Sequence, residues 1–236
     1  MKPNAIFIIG SGRSGTHLLC KSLLGYNNVS DGGYDGYENL NILKDSTISS
    51  IMHKELDSHV IKYYEKKIAE ANKNKKIFVD QCHTNLFNVD QLRKHFPDAV
   101  FFMTERDTIQ IVSSYVKNIR KFMVWIEWAR VNTVPLPNRF LGITTHSELK
   151  ETGTHILATQ RTLSIKEEIE RVYKKHSDVV YKIQFEDMIM NHKTFLEDLD
   201  IDIGTNRKFV NIDESVLVKY KTLPEEKQED INNVTI

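Results

Sequence analysis

The stretch AIFIIGSGRSGTH, residues 5–17, joins an apolar run to a glycine-rich loop and then to a helical pattern. Residues 5–9 are all apolar, which is typical of a strand buried on both faces of a parallel sheet. The glycines within residues 10–15 allow a tight turn and leave the backbone amides open to a ligand. The helix that follows adds the positive end of its dipole, so the loop predicts a binding site for phosphate, sulfate or pyrophosphate.

The side chains of this loop also suit an anion. Arg13 supplies a cation, while Ser14 and Thr16 supply hydroxyl donors. The alternative interpretation is an ordinary strand-to-helix turn, although an arginine among three glycines is unusual for one. We therefore treat the loop as an anion site whose ligand has to be identified from the rest of the chain.

Nucleoside triphosphatases have a loop of similar spacing, G-x-x-x-x-G-K-[ST]. Gly10 and Gly15 keep that spacing, but Thr16 stands at the lysine position and His17 at the position of the metal-binding hydroxyl. Both departures affect groups that hold the β- and γ-phosphates and Mg²⁺. A kinase-like nucleotide-binding protein with a degenerate loop stays open as an alternative.

Two other loop motifs fit in part. Residues 10–15 satisfy the dinucleotide pattern G-x-G-x-x-G, which also needs an acidic residue after a second strand about 20 residues on. Asp31 and Asp35 lie near that distance, but we find no apolar strand before either of them. A hydrolase elbow, G-x-S-x-G, would centre on Ser14, but Thr16 replaces its last glycine.

Along the rest of the chain, short apolar runs alternate with helical patterns. Further strands are predicted over residues 76–80, 99–104 and 178–183, with loops over 25–39 and 135–152. Helices are predicted over residues 14–24, 45–71 (one or two), 85–95, 107–120, 125–132, 154–176 and 185–200 (one or two). This alternation predicts one α/β domain over residues 1–236, with a central parallel sheet flanked by helices and a fraying polar tail at 223–236.

Composition limits the functions that this domain can have. Of 236 residues, 40% are apolar, and 32 basic side chains balance 32 acidic ones, so we expect no bulk binding to nucleic acid or to anionic membranes. Cys20 and Cys82 are far apart and show no metal-ligand spacing, so we expect buried, reduced thiols and no metal site. The apolar run at 5–9 is too short for a signal peptide or a membrane span, which favours a cytoplasmic protein.

A second candidate anion site follows the strand predicted over residues 99–104. Arg106 lies at its carboxyl end, where ligands bind in open α/β sheets, and Ser114 lies two helical turns further on. A guanidinium and a hydroxyl at this spacing can converge on one phosphate. Alternatively, Arg106 caps a helix beside Asp107 and Ser114 is a small packing residue.

Together, three segments resemble the family of sulfotransferases that use 3′-phosphoadenosine 5′-phosphosulfate (PAPS). These are the loop GRSGT at residues 12–16, Arg106 with Ser114-Tyr115, and VVYKIQFEDM at residues 179–188, which resembles the family's Tyr-Glu-Asp-Leu/Met segment. The resemblance implies a P-loop-like α/β fold and transfer of a sulfuryl group to a hydroxyl or amine. The acceptor would be a small molecule or a carbohydrate, and the product adenosine 3′,5′-bisphosphate.

The resemblance also implies roles for individual residues. Those expected at the 5′ end of PAPS share the first loop: Gly12, Arg13, Ser14, Gly15, Thr16 and His17. Arg106 and Ser114 would bind the 3′-phosphate. The family's late Arg-Lys-Gly contact has its nearest counterpart at Arg207 and Lys208, within residues 206–209. Arg13 stands where cytosolic members carry lysine, which keeps the cation but weakens a role for Arg13 as a proton donor to the bridging oxygen.

Two residues are candidates for the catalytic base. His83 resembles the histidine of the family's Lys-Thr-His segment, and Glu38 lies where carbohydrate sulfotransferases often place a glutamate. A nucleotide-binding module without catalysis stays open because neither base is fixed by the sequence. The loop at 135–152 is long enough for an acceptor lid. The oligomeric state is left open.

Overall fold

A computed structural model of the chain describes residues 3–190, apart from the side chains of Ile119 and Lys121. The strands within this range are β1 (Ala5–Gly10), β2 (Val29–Ser30), β3 (Ile77–Gln81), β4 (Ala99–Glu105) and β5 (Val180–Gln184). The helices are α1 (Thr16–Leu24), α2 (Leu40–Ile51), α3 (Ser58–Lys73), α4 (Val89–His95), α5 (Thr108–Lys117), α6 (Ile119–Val131), α7 (His146–Glu151), α8 (Thr154–His176) and α9 (Phe185–Met190). A 3₁₀ helix, His83–Asn88, precedes α4.

The strands form one sheet in the order β2-β3-β1-β4-β5, and every pairing is parallel. β1 is central, with Ile6 opposite Val79 of β3 and Val100 of β4. All six residues of β1 are buried, which explains its uninterrupted apolar sequence. The prediction of one α/β domain with a central parallel sheet flanked by helices is confirmed.

Side chains of β1 alternate between two cores, as the period of a strand requires. Phe7 packs with α3, α4 and α8, and meets Tyr64 edge-on at 5.0 Å between ring centroids. Ile6 and Ile8 pack on the other face with α1 and α9, through residues such as Leu19. Since both faces are covered, the carboxyl edge of the sheet is where the loops can form a site.

Part of the segment predicted as loop over residues 135–152 is held by hydrogen bonds, both within the segment and to α2. Asn138 is buried, donates to the Ile51 carbonyl at 2.8 Å and accepts from the Leu141 amide at 3.0 Å. Helix α7 follows, so the prediction of loop throughout is wrong for His146–Glu151. The T-x-x-E spacing of Thr145 and Glu148 is a helix-start signal that could have indicated α7. Because Asn138 is buried and hydrogen-bonded, the hypothesis that this loop closes over the acceptor as a lid has no support at residues 138–143.

β2 was missed within the loop predicted over 25–39, because two residues are too few to show a strand pattern. Cys20 and Cys82 are buried and free, as expected. The expected helix over 191–200, the basic pair in 206–209 and the tail at 223–236 lie outside the described residues. Among the described helices, none is long and apolar enough to cross a membrane.

Candidate active site

The glycine loop lies between β1 and α1, at the carboxyl edge of the sheet. Positive φ angles of 66° at Gly12, 58° at Arg13 and 93° at Gly15 turn its backbone. Within residues 3–190, the consecutive amides from Ser11 to Gly15 donate to no protein group. A run of amides freed by left-handed turns, followed by a helix N-terminus, forms a concave site for an anion.

Two glycines of this loop are required by their neighbours. A Cβ on Gly12 would lie 2.9 Å from Cδ2 of His83 and 3.0 Å from the Tyr115 hydroxyl. A Cβ on Gly15 would overlap the ring of Phe185, which belongs to α9. His83 therefore lies directly against the loop, so the fold brings one candidate base to the predicted donor site.

The second predicted anion site is adjacent to the first. Nε of Arg13 donates to Oγ of Ser114 at 2.9 Å, which joins the loop to α5. Arg13 holds a left-handed conformation that costs a non-glycine residue about 1–3 kcal/mol. The bond to Ser114 helps to hold the guanidinium where both predicted halves of the site meet.

Arg106 is 6% exposed and supports the loop from β4. Its Nη1 donates to the Arg13 carbonyl at 3.1 Å, while Nε and Nη2 donate to Oε1 of Gln110 at 2.9 and 2.7 Å. Its guanidinium also stacks 4.1 Å from the ring centroid of Phe185. The carboxylate that caps α5 belongs to Asp107, which accepts from the Gln110 amide at 3.0 Å.

The two hydroxyls of the loop are buried beneath it. Oγ of Ser14 lies 2.7 Å from Oγ1 of Thr104 on β4. Oγ1 of Thr16 accepts from Nε2 of Gln81 on β3 at 2.8 Å. Both contacts tie the loop to the sheet, so these hydroxyls at least help to shape the site that the amides form.

Glu38 links the remaining predicted residues into one cluster. Its Oε2 lies 3.0 Å from Nε2 of His17, and its Oε1 lies 3.8 Å from Nδ1 of His83. The Oε1 atom also accepts from Nε2 of Gln81 at 3.2 Å. Nδ1 of His17 lies 3.1 Å from the Gly36 carbonyl. Both candidate bases, which are far apart in sequence, therefore belong to the same cluster.

The two candidates differ in their protonation chemistry. Burial acts to raise the pKa of the Glu38 carboxyl, but the hydrogen bond from His17 and the nearby His83 outweigh it and hold that pKa well below its usual range. Burial lowers the pKa of His83, although the Glu38 carboxylate opposes this effect. Near neutral pH the site therefore holds an ionised carboxylate and an uncharged imidazole.

The loop that carries Glu38 is organised by Asp31. Oδ1 of Asp31 accepts from the Gly33 and Tyr34 amides at 2.9 and 3.2 Å, and Oδ2 accepts from the Gly36 amide at 2.6 Å. A two-residue strand, β2, ends just before Asp31, but it is not the apolar strand that the dinucleotide motif needs. The dinucleotide arrangement still does not apply, because β2 pairs with β3 at the sheet edge instead of with β1.

Sequence reasoning missed two contributors to the site. The Tyr115 hydroxyl donates to the Ser11 carbonyl at 2.6 Å, and Arg161 of α8 donates to that hydroxyl. An arginine within a long helix looks like any solvated surface residue in sequence, so no pattern could have indicated Arg161. Tyr115 directly follows Ser114 in the sequence, so its hydroxyl could have been recognised as a further hydrogen-bonding group near the site.

Among residues 3–190, no group of three or more His, Cys, Asp or Glu side chains is arranged to hold a metal ion. A cavity of about 770 Å³ lies elsewhere, between α2, α4 and α8. Its lining includes Asn88, Arg139 and Glu168 but none of the predicted site residues. The glycine loop and the Glu38 cluster therefore form the candidate active site.

Two solved sulfotransferase structures have a similar fold. The chain resembles the structure of a sulfotransferase domain from the curacin biosynthetic pathway, with 15% identity, a TM-score of 0.55, and coverage of 99% of this chain and 92% of that one. A sulfotransferase from Alicyclobacillus acidocaldarius gives 12% identity, a TM-score of 0.54, and coverage of 98% and 90%. At such identities these likenesses show the fold alone.

Sequence comparison identifies the family directly. No curated protein sequence matches the chain significantly. The model of the sulfotransferase family, however, matches residues 43–200, which include Arg106 and Ser114 but not the glycine loop. With this match over more than half its length, the chain belongs to the sulfotransferase family.

Proposed function

We propose that the protein transfers a sulfuryl group from PAPS to the hydroxyl or amine of a small-molecule or carbohydrate acceptor. The observation that carries the proposal is the position of His83 against Gly12, which puts a buried imidazole beside an anion-binding loop. The family membership supports the transferred group. We propose that the reaction occurs in the cytoplasm, where PAPS would be a soluble co-substrate.

The residues present fit such a donor. The amides of residues 11–15 and the guanidinium of Arg13 suit the 5′-phosphosulfate, and Arg106 with Ser114 supplies a cation and a hydroxyl for the 3′-phosphate. Gly12 leaves the space that a Cβ would fill. Oε1 of Gln81 is buried without a hydrogen-bond partner among the described residues, so it can accept from a bound hydroxyl.

His83 is our proposed general base. The acceptor oxygen or nitrogen forms a bond to sulfur as the bond from sulfur to the phosphate oxygen breaks in line, and the acceptor proton passes to His83. Nε2 of His83 faces the loop, 3.0 Å from the position of a Cβ on Gly12, while Nδ1 faces Glu38. Since burial keeps the ring uncharged, Nε2 can take the proton.

Glu38 is then the group that stabilises the protonated base. Its carboxylate is held ionised and lies 3.8 Å from Nδ1, an ion-pair distance that can shorten when His83 gains a proton. A carboxylate with so low a pKa is itself a weak base. Arg13 contributes positive charge where the leaving phosphate develops negative charge.

Thermal-shift measurements test the donor. We expect adenosine 3′,5′-bisphosphate to raise the melting temperature more than ATP–Mg²⁺ or NAD, because stabilisation follows ligand occupancy. A larger shift with ATP–Mg²⁺ would favour a kinase-like protein and overturn the proposal. Stabilisation by the bisphosphate without sulfuryl transfer to any of a panel of hydroxyl and amine acceptors would point to a binding module without catalysis.

A further inference from the structure

Arg161 is a buried cation that the proposed chemistry does not use. It lies within α8 and is 4% exposed, with its guanidinium 4.7 Å from the ring centroid of Phe140 and 5.1 Å from that of Tyr115. Within residues 3–190, no carboxylate lies at ion-pair distance from it. Buried charges are costly unless they are compensated, so the contacts of this guanidinium should show its purpose.

Those contacts lead to the glycine loop. Nη1 of Arg161 donates to the Tyr115 hydroxyl and, at 3.4 Å, to the Ser11 carbonyl. The Tyr115 hydroxyl donates to the same carbonyl at 2.6 Å. Two donors, one from α8 and one from α5, therefore hold a single carbonyl of the loop.

Holding that carbonyl also fixes the amide that follows it. Across a planar trans peptide, the carbonyl of one residue and the amide of the next point in opposite directions. The Gly12 amide must therefore point away from Tyr115 and Arg161. Arg106 acts in the same way from the other side, because its bond to the Arg13 carbonyl orients the next amide, that of Ser14.

We infer that Arg161, acting through Tyr115 and the Ser11 carbonyl, is a positioning residue that directs the Gly12 amide toward the 5′ anion of the donor. The inference rests on the proposed function for the identity of that anion. Arg161 need not touch the ligand. It pre-orients a donor that would otherwise have to be ordered when the ligand binds, and such pre-orientation increases affinity.

Calorimetric titrations with three adenosine ligands test this role. The ligands are adenosine 3′,5′-bisphosphate, adenosine 5′-monophosphate and adenosine 3′-monophosphate, titrated into the full chain and its Tyr115→Phe and Arg161→Gln variants. We expect both variants to weaken the two 5′-phosphorylated ligands about tenfold, as for the loss of one well-oriented hydrogen bond. Affinity for the 3′-monophosphate should not change.

Arg171→Gln is the matched control on the same helix. Arg171 pairs with Glu168 at 2.6 Å and has no part in the loop, so all three affinities should stay at the wild-type value. If Arg161→Gln does not fold, Tyr115→Phe decides the question, because it keeps both the guanidinium and the aromatic ring. Equal losses for the 3′- and 5′-monophosphates, or no loss for either, would show a packing role and overturn the inference.

Inorganic sulfate separates this inference from the proposed function. If the wild type binds none of the adenosine ligands but binds sulfate, the proposed donor is wrong. Weaker sulfate binding by Tyr115→Phe would then still support the positioning role. Unchanged sulfate binding in that variant would overturn both.

Discussion

At the scale of single residues, His83 is surrounded by charged and titratable groups from three elements. Glu38 reaches it from the loop after β2, His17 from α1 and Arg161 from α8. Burial is the main cause that lowers the pKa of His83. The Glu38 carboxylate raises this pKa, and Arg161 and His17 lower it. Removing one of these neighbouring charges can therefore shift the pKa of His83 either up or down.

This arrangement predicts opposite pH effects for two charge-removing variants. The rate should fall as the pH drops through the pKa of His83, because only the neutral ring accepts a proton. Glu38→Gln removes the stabilising carboxylate, lowers that pKa and moves the acid limb of kcat/KM to lower pH. Arg161→Gln removes a repelling cation and moves the limb to higher pH.

Initial rates across a pH series, measured with saturating donor, would check this prediction. His83→Asn is the control, since it should lower kcat by about 10²–10⁴-fold and abolish the limb while leaving bisphosphate binding intact. Shifts of the limb in the same direction for both charge variants would contradict the assignment of His83.

At the scale of elements, the loop between β1 and α1 depends on backbone shapes that few residues adopt. Gly12→Ala should remove most of the bisphosphate affinity, because its φ of 66° strains alanine and the new Cβ would contact both His83 and Tyr115. Gly33→Ala is a matched control, since Gly33 has a φ of 97° but no heavy atom within 4 Å of its added Cβ.

Melting temperatures and bisphosphate titrations of both variants would distinguish strain from contact. We expect Gly33→Ala to lose stability of about 1 kcal/mol while binding the ligand as the wild type does. If the two variants lost ligand affinity equally, the contact between Gly12 and His83 would have no special importance for the site.

The elements themselves were largely predictable. The strand over 5–9 and the helix over 154–176 agree with β1 and α8, because burial in a parallel sheet and helical periodicity leave clear local patterns. α7 was missed because just one of its residues, Leu149, is buried, so its capping chemistry was the signal instead of its apolar pattern. β2 was too short for any pattern.

At the scale of the whole molecule, a buried carboxyl connects stability to pH. Asp80 lies within β3, accepts from the Tyr64 hydroxyl at 2.9 Å, and has a pKa that burial raises to about 7. An unfolded aspartate has a pKa of about 3.9, so between these values the folded state holds a proton that the unfolded state releases. Stability from this group is therefore present below that window and is lost as the pH rises toward 7.

Asp80→Asn should remove this dependence. The variant should gain melting temperature relative to the wild type as the pH rises from 5 toward 7, because inside that window the wild type loses about 1.4 kcal/mol of stability for each pH step of one. Calorimetric melting of both proteins across that range is the measurement. A difference that stays constant with pH would mean that Asp80 does not titrate in the folded protein.

The sequence by itself determined the α/β class, the glycine-rich loop at residues 10–16 and the family resemblance, because each rests on short motifs that can be recognised locally, one segment at a time. Only the tertiary structure decided that Glu38, His17 and His83 form one cluster and that Arg161 holds the Ser11 carbonyl from 150 positions away. The physical reason is the order of the sheet, which places β3 and β4 on either side of β1 and brings their carboxyl ends to one edge. Contacts between such distant segments depend on packing, and packing leaves no local pattern in the sequence.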